Sequence, residues 1–409
     1  MPRFCFDIAW SDLAAGAMAC CWRHDCATAA KRAECAWSTS NEVMACLSVR
    51  TGFDLLLEAL NLPANSEVLM SAISIAEMSQ IIEAHDLVPV PVDIDPDTLQ
   101  PRLEHLQEAV TPRSRVLLVA HLFGSRMDVG PLQAFAAEHR LLLIEDCAQA
   151  FTGSRNWVDP QSLVAMFSFG PIKTATALGG ALLVVRDAEL LERMRALESN
   201  YPLQPVSEFA AKVARFVVLK LLSTRWIFGL LYYVATLLGK ELDQMVGGAA
   251  RGFAPGALLQ QIRRRASAPL LVLLARRLRT YPGAAVARRA EAGRRLSVAL
   301  RGGPLYLPGV DAPAHAWWVF PACVPDPFDF CRRLREFGFD ATPGASAMRV
   351  IAGRNGSTEC CPGARRVLKD VMYLPVQPGL TDAEIDRLAD SIRAIAATRG
   401  DHIPNRTGS

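Results

Sequence analysis

The chain has 409 residues, 51% of them hydrophobic, which is enough for a sizeable core and suggests two domains. The formal net charge of +3 is too small to point to nucleic acid, and no nucleic-acid partner is expected. The opening MPRFCFDIAWSDLAAG places Asp7 inside its apolar part and has no long hydrophobic region, so no signal peptide is expected and the reading is a cytoplasmic protein.

Six of the eleven cysteines fall within the first 46 residues, none at a C-x-x-C spacing and none beside a histidine pair at ligand spacing. They read as small apolar residues of a reducing compartment, and no metal site is expected. Residues 1–44 form an arm with short helical pieces. From 45 to 205, helical and strand signals alternate. Helical period marks 52–62, 75–86, 101–110 and 129–140. Apolar strand-like runs mark 66–73, 87–95, 114–124, the start of 141–151, 163–169 and 179–185. Short apolar runs alternating with helices predict a mainly parallel sheet with helices on both faces. Sites in such sheets lie at the carboxyl ends of the strands, which singles out His121, Asp146, Gln149, Ser168 and Lys173.

The segment 206–260 reads as an apolar helical connection. Its uncharged run, Trp226 to Gly239, is shorter than the ~20 residues of a spanning helix. Two readings of 216–238 stand side by side: helices packed in a dimer interface or under the second domain, and a shallow contact with a membrane through Trp226, Phe228, Tyr232 and Tyr233. Eleven arginines follow between Arg263 and Arg301 against one acid, Glu291. They suit a nucleotide diphosphate or acidic lipid, or else solvated helix faces. A smaller C-terminal α/β domain spans 261–400, and 401–409 is a polar, mobile tail.

Of 44 basic residues only six are lysines, and Lys173 is the one lysine between Lys31 and Lys212. An arginine there would supply charge, but only a lysine can be tuned to lose its proton. Glu145 and Asp146 end a very apolar strand, and an acid at the tip of a buried strand is costly unless a cation meets it. A helix cap is the plain reading of Asp146 alone. Together with Lys173, one strand further on, it matches the needs of pyridoxal phosphate: an amine for the aldehyde and a carboxylate for the pyridine nitrogen. Ser168 is placed to bind a phosphate oxygen.

The stretches VPVPVDIDPDTL (88–99), VAHLFGSRMDVGPL (119–132), LIEDCAQAFTG (143–153) and FSFGPIKTATALGG (167–180) resemble, in order and spacing, the DegT/StrS-type aminotransferases. The likeness covers about 45–190 well and extends more weakly to VMYLPVQPGLTDAEIDRLADSI (371–392). It implies the aspartate-aminotransferase fold, PLP fold type I: a three-layer α/β/α large domain with a mainly parallel seven-stranded sheet, plus a smaller C-terminal α/β domain. It also implies a homodimer with shared sites. By position, Lys173 matches the Schiff-base lysine, Asp146 the partner of the pyridine nitrogen, Gln149 the glutamine beside the ring and Ser168 the phosphate-binding serine. The family's Gly-Thr phosphate turn falls at Val49 and Arg50, so Arg50 would meet the phosphate by charge with Thr51 beside it. Ile75 stands where the family stacks an aromatic ring. AARGFAP (249–255) stands in place of an Asn-Tyr/Phe-Arg motif, with Arg251 as the substitute.

The function implied is ping-pong transamination from a donor such as glutamate to a keto-sugar, nucleotide-linked by family habit. A membrane-associated enzyme acting on a lipid-linked carbonyl compound and a non-catalytic regulatory protein are the other readings. Dehydratase relatives carry histidine in place of the lysine, so Lys173 argues against that reaction.

Overall fold

The computed structural model describes residues 6–38, 40, 42–153, 161–222, 258–344, 347–353 and 356–399. Arg251, the apolar run 226–239 and the tail 401–409 lie outside them.

Helices α1 (Trp10–Cys21) and α2 (Cys26–Trp37) precede β1 (Val43–Cys46) and α3 (Val49–Leu60). The chain then alternates through β2 (Glu67–Ser71), β3 (Ile73–Ile75), α4 (Ala76–Ala84), β4 (Val88–Val92), α5 (Leu103–Ala109), β5 (Ser114–Ala120), β6 (Ser125–Arg126), α6 (Gly130–Glu138), β7 (Leu142–Asp146), β8 (Val164–Ser168) and β9 (Ala181–Val185). Seven of these strands form one sheet in the order β1-β9-β8-β7-β5-β2-β4. The pairs β2–β4, β2–β5, β5–β7 and β7–β8 are parallel, while β9 runs antiparallel to both β8 and β1.

Each central strand is buried on both faces, which is why it reads as a continuous apolar run. Met70, Leu118, Ile144, Met166 and Leu183 point to one face, where they meet residues of α3, α4 and the following helix α7 (Ala188–Ser199). Gly52 allows the closest approach there: a Cβ at this position would lie 2.4 Å from Leu183 Cδ1. On the other face Leu69, Leu117, Val119 and Leu143 meet α6, and Ala165, Phe167, Leu182 and Val184 meet α1 and α2. Helices thus cover both sides of a mostly parallel sheet, as expected.

Two expected boundaries move. The segment 1–44, expected as an arm with short helical pieces, forms α1 and α2, and these pack into the large unit with Leu13, Ala29, Ala33 and Trp37 buried in the core beside Phe167. The small domain also begins later than 261. After α8 (Val206–Leu222) and α9 (Leu258–Ile262), helix α10 (Ala268–Thr280) packs against α1 and α2, burying Leu270, Leu273 and Leu274. Its buried Arg277 pairs with Asp12. The large unit therefore closes on residues from both sides of the apolar connection, and α8 itself buries Phe209, Val213, Phe216 and Leu219 in the same core.

The second unit starts with α11 (Gly283–Leu300). It continues through β10 (Ala314–His315), β11 (Phe320–Cys323), α12 (Pro327–Glu336), β12 (Thr342–Pro343), β13 (Met348–Val350), α13 (Pro362–Lys369), β14 (Val371–Leu374) and α14 (Asp382–Arg399). An antiparallel sheet, β11-β14-β12, packs Phe320 and Met372 against Leu296, Phe330 and Leu388 of α11, α12 and α14. Two small pairings, β13 with β3 and β10 with β6, join the units edge to edge.

Much of the arginine run is ion-paired, and Arg279, Arg288, Arg294 and Arg301 are exposed, as the reading of solvated helix faces expects. Arg263 pairs with Asp54, Arg264 with Glu208, Arg276 and Arg277 with Asp12, Arg294 with Glu291, Arg295 with Asp382 and Arg301 with Asp311. Buried Arg289 donates to the Ala316 carbonyl and the Thr174 hydroxyl.

Candidate active site

Parallel neighbours end together at one edge of the sheet. Ala120, Asp146 and Ser168 are the last residues of β5, β7 and β8, at the edge where sites form in open α/β sheets. Lys173 follows in the turn that leads to β9. That turn is closed by its own hydrogen bonds. The Phe169 carbonyl accepts from the backbone N–H of Ala177 at 3.0 Å and of Gly179 at 3.1 Å, and from the Thr176 hydroxyl at 3.2 Å. Ala175 and Leu178 hold φ of 55° and 64°, a conformation that costs a non-glycine residue about 1 kcal/mol or more. The surroundings impose it: the Ala175 N–H is fixed by the Asp7 carboxylate at 2.9 Å, and Arg289 holds neighbouring Thr174.

Asp146 and Lys173 keep a little solvent access while both lie deep in protein. One oxygen of Asp146 accepts the Ala148 N–H at 3.0 Å. No other donor meets this carboxylate among the described residues. Burial pushes its carboxyl above the usual range, held back by the Ala148 N–H and then by Lys173 and His121. Burial likewise lowers the Lys173 amine to about 8; Asp146 opposes the shift and Arg50 adds to it. Lys173, Asp146 and Arg50 therefore share one electrostatic neighbourhood. Ser168 joins it through Gly170, where an added Cβ would lie 3.5 Å from Ser168 Oγ and 3.9 Å from Lys173 Cγ.

At the start of α3, Ser48 caps the helix by accepting the Thr51 N–H at 3.1 Å. Arg50, on the first turn, reaches Glu77 of α4 at 3.4 Å. Thr51 does not join it: its hydroxyl donates to the Ile262 carbonyl at 2.8 Å inside the core. Contact with an anion at this turn thus falls to Arg50 and the helix N-terminus. Gln149 is braced, with Oε1 accepting the Phe123 N–H at 2.8 Å and Nε2 3.5 Å from Met348 Sδ. Met348 lies opposite Ile75 in the β13–β3 pairing, so Ile75 and Gln149 share a neighbour.

Trp318 and Met348 were not anticipated from the sequence. Lys173 Nζ stands 3.9 Å from the centroid of the Trp318 ring, and the Trp318 indole N–H donates to the Ile172 carbonyl at 3.0 Å. The tryptophan pair in HAWWVF was the available signal. Among the described residues, His121, Glu145 and Cys147 bring donor atoms within 4.8 Å of one another. Hydrogen bonding accounts for the cluster: His121 Nε2 meets Glu145 Oε2 at 3.0 Å, and His121 Nδ1 accepts the Met127 N–H at 3.3 Å.

These groups fit pyridoxal phosphate. The carboxylate with one backbone donor has room for a pyridinium N–H, the amine is tuned near neutrality, and a cation flanks a helix N-terminus suited to a phosphate.

A model of the DegT/DnrJ/EryC1/StrS aminotransferase family matches residues 29–205. The L-glutamine:2-deoxy-scyllo-inosose aminotransferase of Streptomyces fradiae is 34% identical over 151 residues, 36% of this chain and 36% of the relative. The UDP-N-acetyl-3-dehydro-alpha-D-glucosamine 3-aminotransferase of Acidithiobacillus ferrooxidans is 31% identical over 158 residues, 38% of this chain and 43% of that protein. The chain thus spans about two fifths of the length of the curated relatives it matches. The crystal structure of the aminotransferase TlmJ from Streptoalloteichus hindustanus superposes with a TM-score of 0.69 at 23% identity, covering 96% of this chain and 98% of that one. Spr1654 from Streptococcus pneumoniae in its PLP form gives 0.69 at 14% identity, covering 97% and 99%. At these identities the likeness establishes the fold, that of the type I pyridoxal-phosphate enzymes. Residues 29–205, matched by the model of the DegT/DnrJ/EryC1/StrS aminotransferase family, hold the seven-stranded sheet and the residues from Arg50 to Lys173 described above.

Proposed function

We propose that the protein is a pyridoxal-phosphate-dependent aminotransferase that moves an amino group from glutamate or glutamine to a keto-sugar in a ping-pong sequence. The observation that carries this reading is the lysine amine lowered to about 8 beside a buried carboxylate with one backbone donor. When bound, the cofactor supplies an aldehyde that condenses with amines and a ring that takes up electrons. Lys173 offers its amine to that aldehyde. Once displaced by the donor, Lys173 Nζ carries a proton off the donor carbon and later returns one to the acceptor carbon. Asp146 holds the proton on the ring nitrogen. Arg50, the N-terminus of α3 and Ser168 take the phosphate. Trp318 covers the amine and limits its access to water.

The test is direct. The chain is incubated with pyridoxal phosphate and reduced with borohydride. The expected result is a visible absorption band before reduction that is lost on reduction, with a mass label left on Lys173; the label is absent in Lys173→Ala. A chain that takes up no cofactor and no label refutes the reading. Release of keto acid from glutamate or glutamine, scored against neutral keto-inositols and nucleotide-linked keto-sugars, then assigns donor and acceptor. A homodimer is part of the same proposal, checked by light scattering.

One observation favours membrane association as a second reading. Val218 and Leu221 of α8 are 52% and 45% exposed, and the chain runs on from them into the uncharged 226–239. No described helix is long and apolar enough to cross a membrane, so the contact proposed is peripheral. Flotation with anionic liposomes tests it; protein that stays at the bottom of the gradient rejects it.

A further inference from the structure

A cavity of about 540 Å³ lies between β13 and α13, apart from the lysine and carboxylate. It is an open groove rather than an enclosed pocket, and Arg365, Arg366 and Lys369 are exposed along it. The spacing of Pro362, Arg365, Arg366 and Lys369 puts them on one face of α13, and all four line the cavity. The opposite face, with Ala364 and Val367, is buried against Ile73 and Ile94. Arg349 adds a further cation from β13, and Met348, Val350 and Leu368 give the cavity an apolar wall.

The charges here are not neutralised from within. Arg349, Arg365 and Lys369 have no ion-pair partner among the described residues. The nearby Asp93 carboxylate is taken by the Gly363 and Ala364 N–H groups at 2.7 and 2.8 Å. Arg366 stands over the Tyr306 ring at 4.5 Å and keeps its donors. This contrasts with the run 263–301, where seven arginines find carboxylates. Guanidinium forks and an ammonium on one helical face suit phosphate oxygens, and the apolar wall suits what the phosphate is attached to.

We propose that this groove binds a phosphate- or diphosphate-bearing amphipathic small molecule, with the anion on Arg365, Arg366 and Lys369 and the apolar portion on Met348, Val350 and Leu368. The inference stands independently of the transamination reading. The groove is adjacent to that site, since Met348 also meets Gln149 at 3.5 Å.

The test is calorimetric titration of the full chain loaded with pyridoxal phosphate, at about 50 mM salt. The probes are pyrophosphate, UDP and geranyl diphosphate. Binding of pyrophosphate that weakens at least tenfold in R365Q/K369Q, and weakens with added salt, supports the site. Tighter binding of UDP than of pyrophosphate, lost in the same variant, assigns a nucleoside to the apolar wall. The same result for geranyl diphosphate assigns a lipid chain. Absent binding, or affinities unchanged in R365Q/K369Q, overturn the proposal. Equal cofactor absorbance in parent and variant confirms that the variant is folded, and R349Q serves as a second, independent change on β13.

Discussion

Lys173 carries its Nζ 3.9 Å from the centroid of the Trp318 ring, so a residue from the approach to the C-terminal sheet covers an amine from the large sheet. The ring acts in two opposed ways. Its π face favours the ammonium by about 1 kcal/mol, and its bulk keeps water away. Burial wins, because the amine lies near 8. Trp318→Ala is expected to admit water and move the amine back toward its ordinary value by on the order of one unit. The measurement is the pH midpoint of borohydride-trapped labelling of Lys173 by pyridoxal phosphate. Trp318→Phe keeps the cover and is expected to stay within a few tenths of the parent. An unmoved or acid-shifted midpoint in the alanine variant would mean that the ring acts through its π face alone.

The same shift sets a pH dependence of stability. Without cofactor, the folded chain has released the Lys173 proton above about 8, while the unfolded chain keeps it to about 10.5. Between those values the unfolded state binds more protons, so the lysine's contribution to stability rises with pH across the window. Below about 8 the penalty of a buried ammonium is constant and full. Lys173→Met removes the charge. It is expected to be more stable than the parent at pH 7 in urea unfolding, with the advantage shrinking as pH climbs from 8 to 10.5. A parent–variant difference that does not vary over this range contradicts the assignment.

Much of this site was readable from residue order because parallel strands announce themselves. Leu142–Asp146 and Val164–Ser168 are apolar on both faces, so their polar last residues stood out, and Asp146 and Ser168 do end neighbouring strands. What the order of residues hid depends on distant segments. β1 is only Val43–Cys46, too short for a period, and it is defined by pairing with β9. α10 looked like part of a basic C-terminal domain, since nothing local reveals that Arg277 meets Asp12 near the other end of the chain. Trp318 and Met348 reach the site from the second unit for the same reason. The family likeness put the phosphate turn at Val49 and Arg50 with Thr51 beside them, and only the position of Ile262 showed where the Thr51 hydroxyl is spent.

Arg50 and Thr51 should therefore separate under mutation. Thr51→Val removes the donor to a buried carbonyl and is expected to cost about 1–3 kcal/mol of stability, with cofactor retention unchanged. Arg50→Gln leaves the core intact and removes a cation that is coupled to Lys173. Its expected effect is at least tenfold weaker retention of pyridoxal phosphate, with stability within about 0.5 kcal/mol of the parent. Urea unfolding of the cofactor-free chain and dialysis of the loaded chain measure the two quantities separately. Weaker retention in Thr51→Val with normal retention in Arg50→Gln would reverse the assignment.

Asp93 offers a last separation, between holding an element and building a site. Asp93 is 2% exposed, and its carboxylate accepts the first free N–H groups of α13, those of Gly363 and Ala364. Helix starts have unpaired N–H groups and a partial positive charge, so a buried carboxylate there satisfies both. The contact is tight: a Cβ on Gly363 would stand 2.2 Å from the Ile94 carbonyl oxygen. Asp93→Ala strands two buried donors and is expected to cost about 2–3 kcal/mol. Asp93→Asn keeps one acceptor and turns an amide N–H toward the other donor, so an intermediate loss is expected. Gly363→Ala should resemble Asp93→Ala, because it drives the same helix start away from the same strand end. Amide exchange reports the location: Arg365 to Lys369 should exchange faster in all three variants while β7 and β8 keep their protection. A loss of stability without faster exchange in α13 would show that Asp93 supports the sheet edge itself, and that the cations on this helix are held in place by the packing of Val367 and Ala364 alone.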